Sequence, residues 1–215
     1  MVATGLTRCR LYLITPAKLN FGAIDHFAAV LQRSLGAGDV ACVQLRVKDW
    51  SDEDILRTAE LLMPIVQTAG AAFLINDRPD LAAKIGADGA HIGQADMSYE
   101  EARALLGAER VIGVTAHASR HLAMEAAEMG ADYVAFGAFF ETRTKQPIAR
   151  ADIELLHWWS EIFEVPCVAI GGITPANAHP LVAAGADFIA ASSAVWDHPE
   201  GPEAAVRQFN EVFAR

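Results

Sequence analysis

"GADGAHIG" (86–93), "GADYVAFG" (130–137) and "GADFIAAS" (185–192) state one phrase three times along the chain. Weaker copies stand at 36–45, "GAGDVACVQL", and 69–76, "AGAAFLIN". Each copy follows an Ala/Leu/Glu-rich stretch with helical spacing. The Gly suits the left-handed position that ends a helix, and the apolar run after it suits a strand. An αβ unit therefore repeats, with a spacing too variable for a solenoid.

Apolar strand runs fall at 11–15, 41–47, 71–76, 89–93, 111–115, 132–138, 166–171 and 188–192. Helical stretches separate them, several with start signals. Ser51 precedes an acidic first turn, Ser98 with Glu101 forms a capping box, and Thr174-Pro175 reads as an N-cap followed by Pro at the first helical position. The strands are apolar nearly throughout, as parallel strands covered on both faces must be. Eight strands alternating with helices over short connections predict a (β/α)8 TIM barrel, class α/β. A doubly wound open sheet competes poorly, because no G-x-G-x-x-G opens a helix after the first strand. The expected organisation is a single domain over 1–215, with 1–9 a flexible N-terminal segment.

The bulk numbers narrow the function. The chain has 215 residues, 53% hydrophobic and 20% charged, with a net charge of −10. Such a surface disfavours nucleic acid and anionic membrane as partners, and no run approaches the ~18 apolar residues of a membrane span. The N-terminus lacks a signal-peptide layout. The three cysteines, Cys9, Cys42 and Cys167, form no CxxC and cannot all pair, which implies a reducing, cytoplasmic compartment. The composition permits a homo-oligomer. An anionic substrate would need local cations or a metal.

In a barrel of this kind function collects where strands end. Those positions hold Gln44, Arg46 and Lys48; Asn76 and Asp77; Gln94 and Asp96; Thr115 and His117. Further on come Thr142, Arg143, Thr144 and Lys145, then Gly171-Gly172, then Ser192-Ser193. Each has a bland reading. Asp77 is as readily an N-cap as a functional carboxylate. That reading is weaker for Asp96, since Ser98 already caps the next helix. A lone Arg46, Lys48 or Lys145 is an ordinary surface cation. However, "QLRVK" places Gln, Arg and Lys at alternate positions, on one face of a strand end. Gly171-Gly172 before a helix start suits a phosphate cup. His117 and His121 have no partner at zinc-ligand spacing. His91 reads as a satisfied core histidine, His157 beside Trp158-Trp159 as packing, and the cysteines as inert.

Together the ring has a chemical logic. Two carboxylates, Asp77 and Asp96, suit Mg2+, which takes oxygen ligands and shares them with diphosphate. The cations around them suit a departing polyphosphate, and Gly172 with Ser192 and Ser193 suits a second phosphate. The residues thus point to an enzyme with two phosphorylated substrates, one of which loses diphosphate.

"VQLRVK", "INDRPDLAAKIGADGAHIGQAD", "GVTAHASRHLAMEAAEMGADYVAFGAFFETRTK" and "CVAIGGITPANAHPLVAAGADFIAASSAVW" resemble the thiamine-phosphate synthase (thiamine-phosphate pyrophosphorylase) family from about residue 10 to the end. The resemblance implies a transferase. It condenses 4-amino-2-methyl-5-hydroxymethylpyrimidine diphosphate with a thiazole phosphate to give thiamine monophosphate and diphosphate, by Mg2+-assisted dissociative substitution. It implies that Gln44, Arg46 and Lys48 contact the pyrimidine diphosphate and that Asn76 serves the pyrimidine site. Asp77 and Asp96 bind Mg2+, while Thr115 and Lys145 bind diphosphate. Thr142, Thr144, Gly172, Ser192 and Ser193 hold the thiazole phosphate. Lys145, Arg46, Lys48 and Thr115 carry the catalytic charge stabilisation. "ETRTK" (141–145) then reads as a loop that closes over both substrates. Two positions depart from the pattern: Glu141, where Pro is common, puts negative charge beside a phosphate loop, and Ser192 replaces an aliphatic residue. The alternatives are a thiazole tautomerase-like isomerase, with His117 as acid/base, and a non-catalytic regulatory paralogue binding phosphorylated metabolites.

Overall fold

The computed structural model describes residues 9–16, 18–142 and 149–214. Eight strands form a closed barrel, each hydrogen-bonded in parallel to the next, with the eighth returning to the first. They are β1 Arg10–Ile14, β2 Val40–Leu45, β3 Ala72–Asn76, β4 Gly89–Ile92, β5 Val111–His117, β6 Tyr133–Gly137, β7 Cys167–Ile170 and β8 Phe188–Ala191. The outer helices are α1 Ile24–Leu35, α2 Asp52–Thr68, α3 Pro79–Ile85, α4 Tyr99–Leu106, α5 Arg120–Met129, α6 Ile153–Ile162 and α7 His179–Ala183. After β8 comes one short turn, α8 Ser193–Trp196, and then the closing helix, α9 Pro202–Phe213.

The expected barrel is therefore present, with strand limits within two residues of the sequence reading. Two start signals also work as expected. The Ser51 hydroxyl accepts from the Asp54 N–H, and Ser98 with Glu101 makes a complete capping box. The third does not. Thr174-Pro175 opens a turn, and helix α7 begins only at His179. The Asn177 side chain intervenes, accepting from the Thr174 N–H at 2.7 Å and donating to the Gly172 carbonyl at 3.1 Å. Asparagine thereby offers the backbone a local turn in place of a helical one.

The period-2 alternation of the strands separates two apolar layers. One fills the barrel interior, with Tyr12, Ile14, Cys42, Leu74, Tyr133, Ala135, Val168 and Ala190. The other lies between sheet and helices, with large members such as Phe73, Phe136, Trp159 and Phe209 fully enclosed. Trp159 also donates from its indole to the Val165 carbonyl at 2.7 Å. His157, expected to pack there, is exposed instead.

The repeated Gly-Ala-Asp phrase has a single mechanical role in its three copies. Gly86, Gly130 and Gly185 all take positive φ, at 70°, 98° and 98°, which turns the chain from helix to strand. The Asp that follows is a clamp. Asp88 accepts the Phe73 N–H at 2.7 Å, Asp132 that of Ile112 at 2.7 Å, and Asp187 that of Cys167 at 2.8 Å. Each Asp also donates its own N–H to the carbonyl of that same residue. Each clamp thus ties the start of one strand to the start of the preceding one. Asp39 in the weaker copy does a related job, binding the Arg10 guanidinium through two bonds of 2.8 and 2.7 Å.

Asp88 and Asp132 also bind Gln67 and Arg103, whereas the group beside the Asp187 carboxylate is the Cys167 thiol, so Asp187 tests the clamp without an amide or guanidinium partner. A hydrogen bond with a charged acceptor contributes ~1.5–3 kcal/mol, and Asp187→Ala is expected to lower unfolding free energy by that amount. Asp187→Asn, which keeps an acceptor oxygen, is expected to lose clearly less when both are measured by urea denaturation.

Candidate active site

A cavity of about 370 Å³ opens at the C-terminal ends of the strands. Among the described residues, Gln44, Arg46, Lys48, Asn76, Asp77, Asp96, Thr115, Thr142, Gly172, Ser192 and Ser193 all line it. Arg143, Thr144 and Lys145 lie outside the described residues. Ile14, Ile170 and Ile173 give the cavity an apolar side suited to a ring.

The acidic corner is built by local backbone geometry. Asp77 follows β3 with φ at 60°, a left-handed conformation that costs a non-glycine residue about 1–3 kcal/mol and persists where surrounding structure enforces it. The enforcing contact is its N–H, donated to the His91 carbonyl on β4 at 2.8 Å. Asp77 is not an N-cap: the capping position of α3 belongs to Arg78, which makes no side-chain cap bond. Asp96 reaches the same corner from the next loop, its carboxylate accepting the Gly93 N–H at 2.8 Å. The two carboxyl groups meet in a hydrogen bond. Burial against the cavity wall, then the bond and charge of Asp96, push Asp77 up to about 6. Arg46 and the Asn76 amide pull in the other direction.

A second line of contacts runs along β2 and β3. Gln44, 3% exposed, donates from Nε2 to Asn76 Oδ1 at 2.5 Å, and Asn76 in turn donates to Asp77. Arg46 is held through its backbone by Thr15 at the end of β1. The Thr15 hydroxyl accepts the Arg46 N–H at 2.9 Å and donates to the Arg46 carbonyl at 3.1 Å. Nothing in the sequence singled out Thr15. Its signal was only its place, a buried hydroxyl directly after the first strand.

Opposite the carboxylates, the turns after β6 and β7 are zipped together. Phe139 and Phe140 donate their N–H groups to the Ile170 and Gly171 carbonyls at 3.2 and 3.0 Å. Gly171 and Gly172 have φ of 103° and 64°. A Cβ at Gly172 would stand 2.2 Å from the Glu141 carbonyl oxygen, so glycine there serves the approach of two backbones as well as any ligand. Glu141 itself points outward and pairs with Arg150 at 3.3 Å. The Ser192 hydroxyl donates to the Thr15 carbonyl at 3.1 Å.

Three further residues line the cavity, Gln94 and His117 from the strand-end positions and His91 from within β4. Gln94 donates to the Thr115 carbonyl at 2.6 Å, and His117 ends β5 with φ at 51°. His91 is a satisfied interior histidine, as expected, yet it also faces the cavity. Its Nδ1 meets the Tyr133 hydroxyl at 2.9 Å and its Nε2 the Thr115 hydroxyl at 2.8 Å. Burial pushes its imidazole down to about 4, leaving it neutral at physiological pH. Cys9, Cys42 and Cys167 are buried, and burial raises all three thiols well above reactive values, Cys9 and Cys167 to about 12.

Fold and site together define a (β/α)8 protein with a cavity at the C-terminal face, lined by charged, hydroxyl and apolar side chains, where enzymes of this architecture work. The thiamine monophosphate synthase family matches the chain over residues 11–195. A thiamine-phosphate synthase of Rhodospirillum centenum is 61% identical over 208 residues, covering 97% of this chain and 99% of the relative. One from Hyphomonas neptunium is 52% identical over 210 residues, covering 96% and 94%. Among solved structures, the thiamine phosphate pyrophosphorylase of Pyrococcus furiosus superimposes with a TM-score of 0.81 at 28% identity, covering 97% and 96%. Orotidine 5'-phosphate decarboxylase of Pyrococcus horikoshii, with a TM-score of 0.67 at 12% identity, shares the fold alone. This chain belongs to the thiamine monophosphate synthase family, and it is an enzyme of the transferase class.

The carboxyl pair generates a pH prediction. A raised pKa means that folding favours the protonated form. Asp77's contribution is therefore complete below its ordinary 3.8 and lost as pH rises through about 6. In Asp96→Asn, NMR titration of the Asp77 carboxyl in metal-free protein is expected to show a midpoint clearly below the wild-type value. The shift should shrink without vanishing, because burial is its largest cause.

Proposed function

We propose that this chain joins 4-amino-2-methyl-5-hydroxymethylpyrimidine diphosphate to a thiazole phosphate, giving thiamine monophosphate and diphosphate, in the cytoplasm, where its three buried cysteines stay reduced. The observation that carries the reading is the division of the cavity. Carboxylates and cations gather after β2, β3 and β4; glycines and Ser193 gather after β7 and β8; Ile14, Ile170 and Ile173 line the same cavity. Family membership supports it independently.

The acidic corner fits Mg2+. Asp77 and Asp96 offer oxygen donors only, at touching distance, and their mutual repulsion is what a divalent cation relieves. No set of three or more His, Cys, Asp or Glu side chains converges for a metal among the described residues, which leaves coordination positions to water and diphosphate oxygens. Bound Mg2+ supplies electrostatic stabilisation for the charge that gathers on the departing diphosphate.

The protein's own groups do the rest. Gln44 and Asn76, locked to each other and to Asp77, present a fixed amide edge to the pyrimidine. Arg46, Lys48 and the Thr115 hydroxyl receive the leaving diphosphate, joined by Lys145 in the family pattern. Such groups act by charge stabilisation at fixed positions, without reorganisation at the moment of bond breaking. The aminopyrimidine ring spreads the positive charge left on its methylene carbon, and the thiazole nitrogen traps it. Thr142, Thr144, Gly172, Ser193 and the backbone at Ser192 hold the thiazole phosphate so that this nitrogen faces the carbon.

Mixing both substrates with the protein is expected to yield thiamine monophosphate with Mg2+ and none after chelation, as read by chromatography. Absence of product with Mg2+ present would remove the reading. Asp77→Ala is expected to reduce turnover roughly a hundred-fold or more, equivalent to about 2.7 kcal/mol, while the melting temperature changes little. Ser193→Ala is expected to raise KM for the thiazole phosphate about ten-fold and to leave KM for the pyrimidine diphosphate nearly unchanged. Equal effects on both would assign Ser193 to structure.

A further inference from the structure

We propose that Tyr133 is a positioning residue. With Tyr12 it forms a directional hydrogen-bond relay through His91 that turns the Thr115 hydroxyl proton toward the anion in the cavity.

The relay crosses the barrel interior. The Tyr12 hydroxyl lies 2.8 Å from that of Tyr133, which lies 2.9 Å from His91 Nδ1; His91 Nε2 lies 2.8 Å from Thr115 Oγ1. Tyr12, Tyr133 and His91 are 3%, 6% and 9% exposed. The arrangement depends on a missing side chain. His91 and Tyr133 are both register partners of Gly113, and a Cβ at Gly113 would stand 1.9 Å from the Tyr133 ring. Glycine there lets the phenol lie across β5 and stack on the imidazole, with ring centres 5.6 Å apart.

Counting protons decides what this line of groups can do. Two phenols, a neutral imidazole and a threonine hydroxyl each have one proton to give. The line has three internal contacts, so one proton is left over. Only two arrangements keep every internal contact bonded and leave no middle group with an unsatisfied proton. In the inward one Thr115 donates to His91, each group passes its proton on, and the spare O–H remains at Tyr12. In the outward one Tyr12 donates to Tyr133, Tyr133 to His91 Nδ1, and His91 Nε2–H to Thr115. Thr115 then has its own O–H for the cavity. An anion meeting the inward form faces lone pairs; meeting the outward form, it meets a donor. A bound anion therefore selects the outward form, and each link polarises the next. The relay rests on the reading above that Thr115 contacts the diphosphate.

The test is a double-mutant cycle on kcat/KM for the pyrimidine diphosphate with Tyr133→Phe, Thr115→Val and the pair. KM for the thiazole phosphate is the internal control, and melting temperatures confirm folding. Tyr133→Phe is expected to lower the value several-fold in the native background and to change nothing further in Thr115→Val, because the relay's endpoint is already gone. An equal loss in both backgrounds would show that Tyr133 does not act through Thr115 and would overturn the relay while leaving the reaction assigned. A wild-type value for Thr115→Val would overturn both the relay and Thr115's place in the site. A second measurement avoids substitution at Tyr133. In histidine-15N-labelled protein with Mg2+ and inorganic diphosphate, the His91 signal, assigned by its loss in His91→Gln, is expected to report the Nε2–H tautomer. The Nδ1–H tautomer would overturn the relay.

Discussion

The charge-assisted hydrogen bond from an Asp carboxylate to the first N–H of the preceding strand is the constraint on which this barrel depends. It occurs at Asp88, Asp132 and Asp187, always one residue ahead of a strand and always after a glycine-led turn. Parallel strands have no hairpin to set their register, so something else must. A carboxylate that accepts one strand's N–H while its own N–H reaches the same residue's carbonyl leaves little freedom for a slip. Because a one-residue slip would exchange inward and outward faces, the clamps also determine which side chains reach the interior.

That consequence carries into the site. With starts aligned, strand ends arrive at a common rim, and Arg46, Asp77, Asp96 and Ser193 face one cavity although they are widely separated in sequence. The rim is then adjusted locally. Thr15 holds the backbone of Arg46, the His91 carbonyl holds Asp77 in its left-handed conformation, and Asn177 holds the turn after Gly172. These supports come from neighbouring loops or strands. Its electrostatic demand is concentrated at the Asp77–Asp96 pair, where two carboxyl groups press together at a cavity wall.

Interior polarity is the second organising feature. The inner layer near β4, β5 and β6 contains two phenols and an imidazole where aliphatic side chains usually stack. These groups are tolerated because each finds partners, and the space for them exists because Gly113 leaves it. The hydroxyl of Thr58 is the one fully buried side-chain polar atom among the described residues without a hydrogen-bond partner. The structure offers no account of it.

The sequence by itself determined the αβ period, the eight strands and the identity of the polar residues at their ends. These follow from local causes: a glycine that can turn left-handed, a Ser that caps, an apolar run that must be covered. The capping box at Ser98 and the convergence of strand-end polar residues on one cavity were legible for that reason. The acidic clamps were visible only as a repeated Asp, since their partners lie on the preceding strand. Tertiary structure alone decided the rest. Tyr12 meets Tyr133, and Tyr133 meets His91, across 121 and 42 residues of chain, a pairing set by barrel closure and a glycine on the strand between. Thr174 looked like a cap until Asn177 supplied a nearer partner for its N–H. The Ser192 hydroxyl, read from the sequence as a phosphate partner, also donates to the Thr15 carbonyl at the end of β1. In each case the competing partner comes from the folded arrangement, which sequence spacing does not encode.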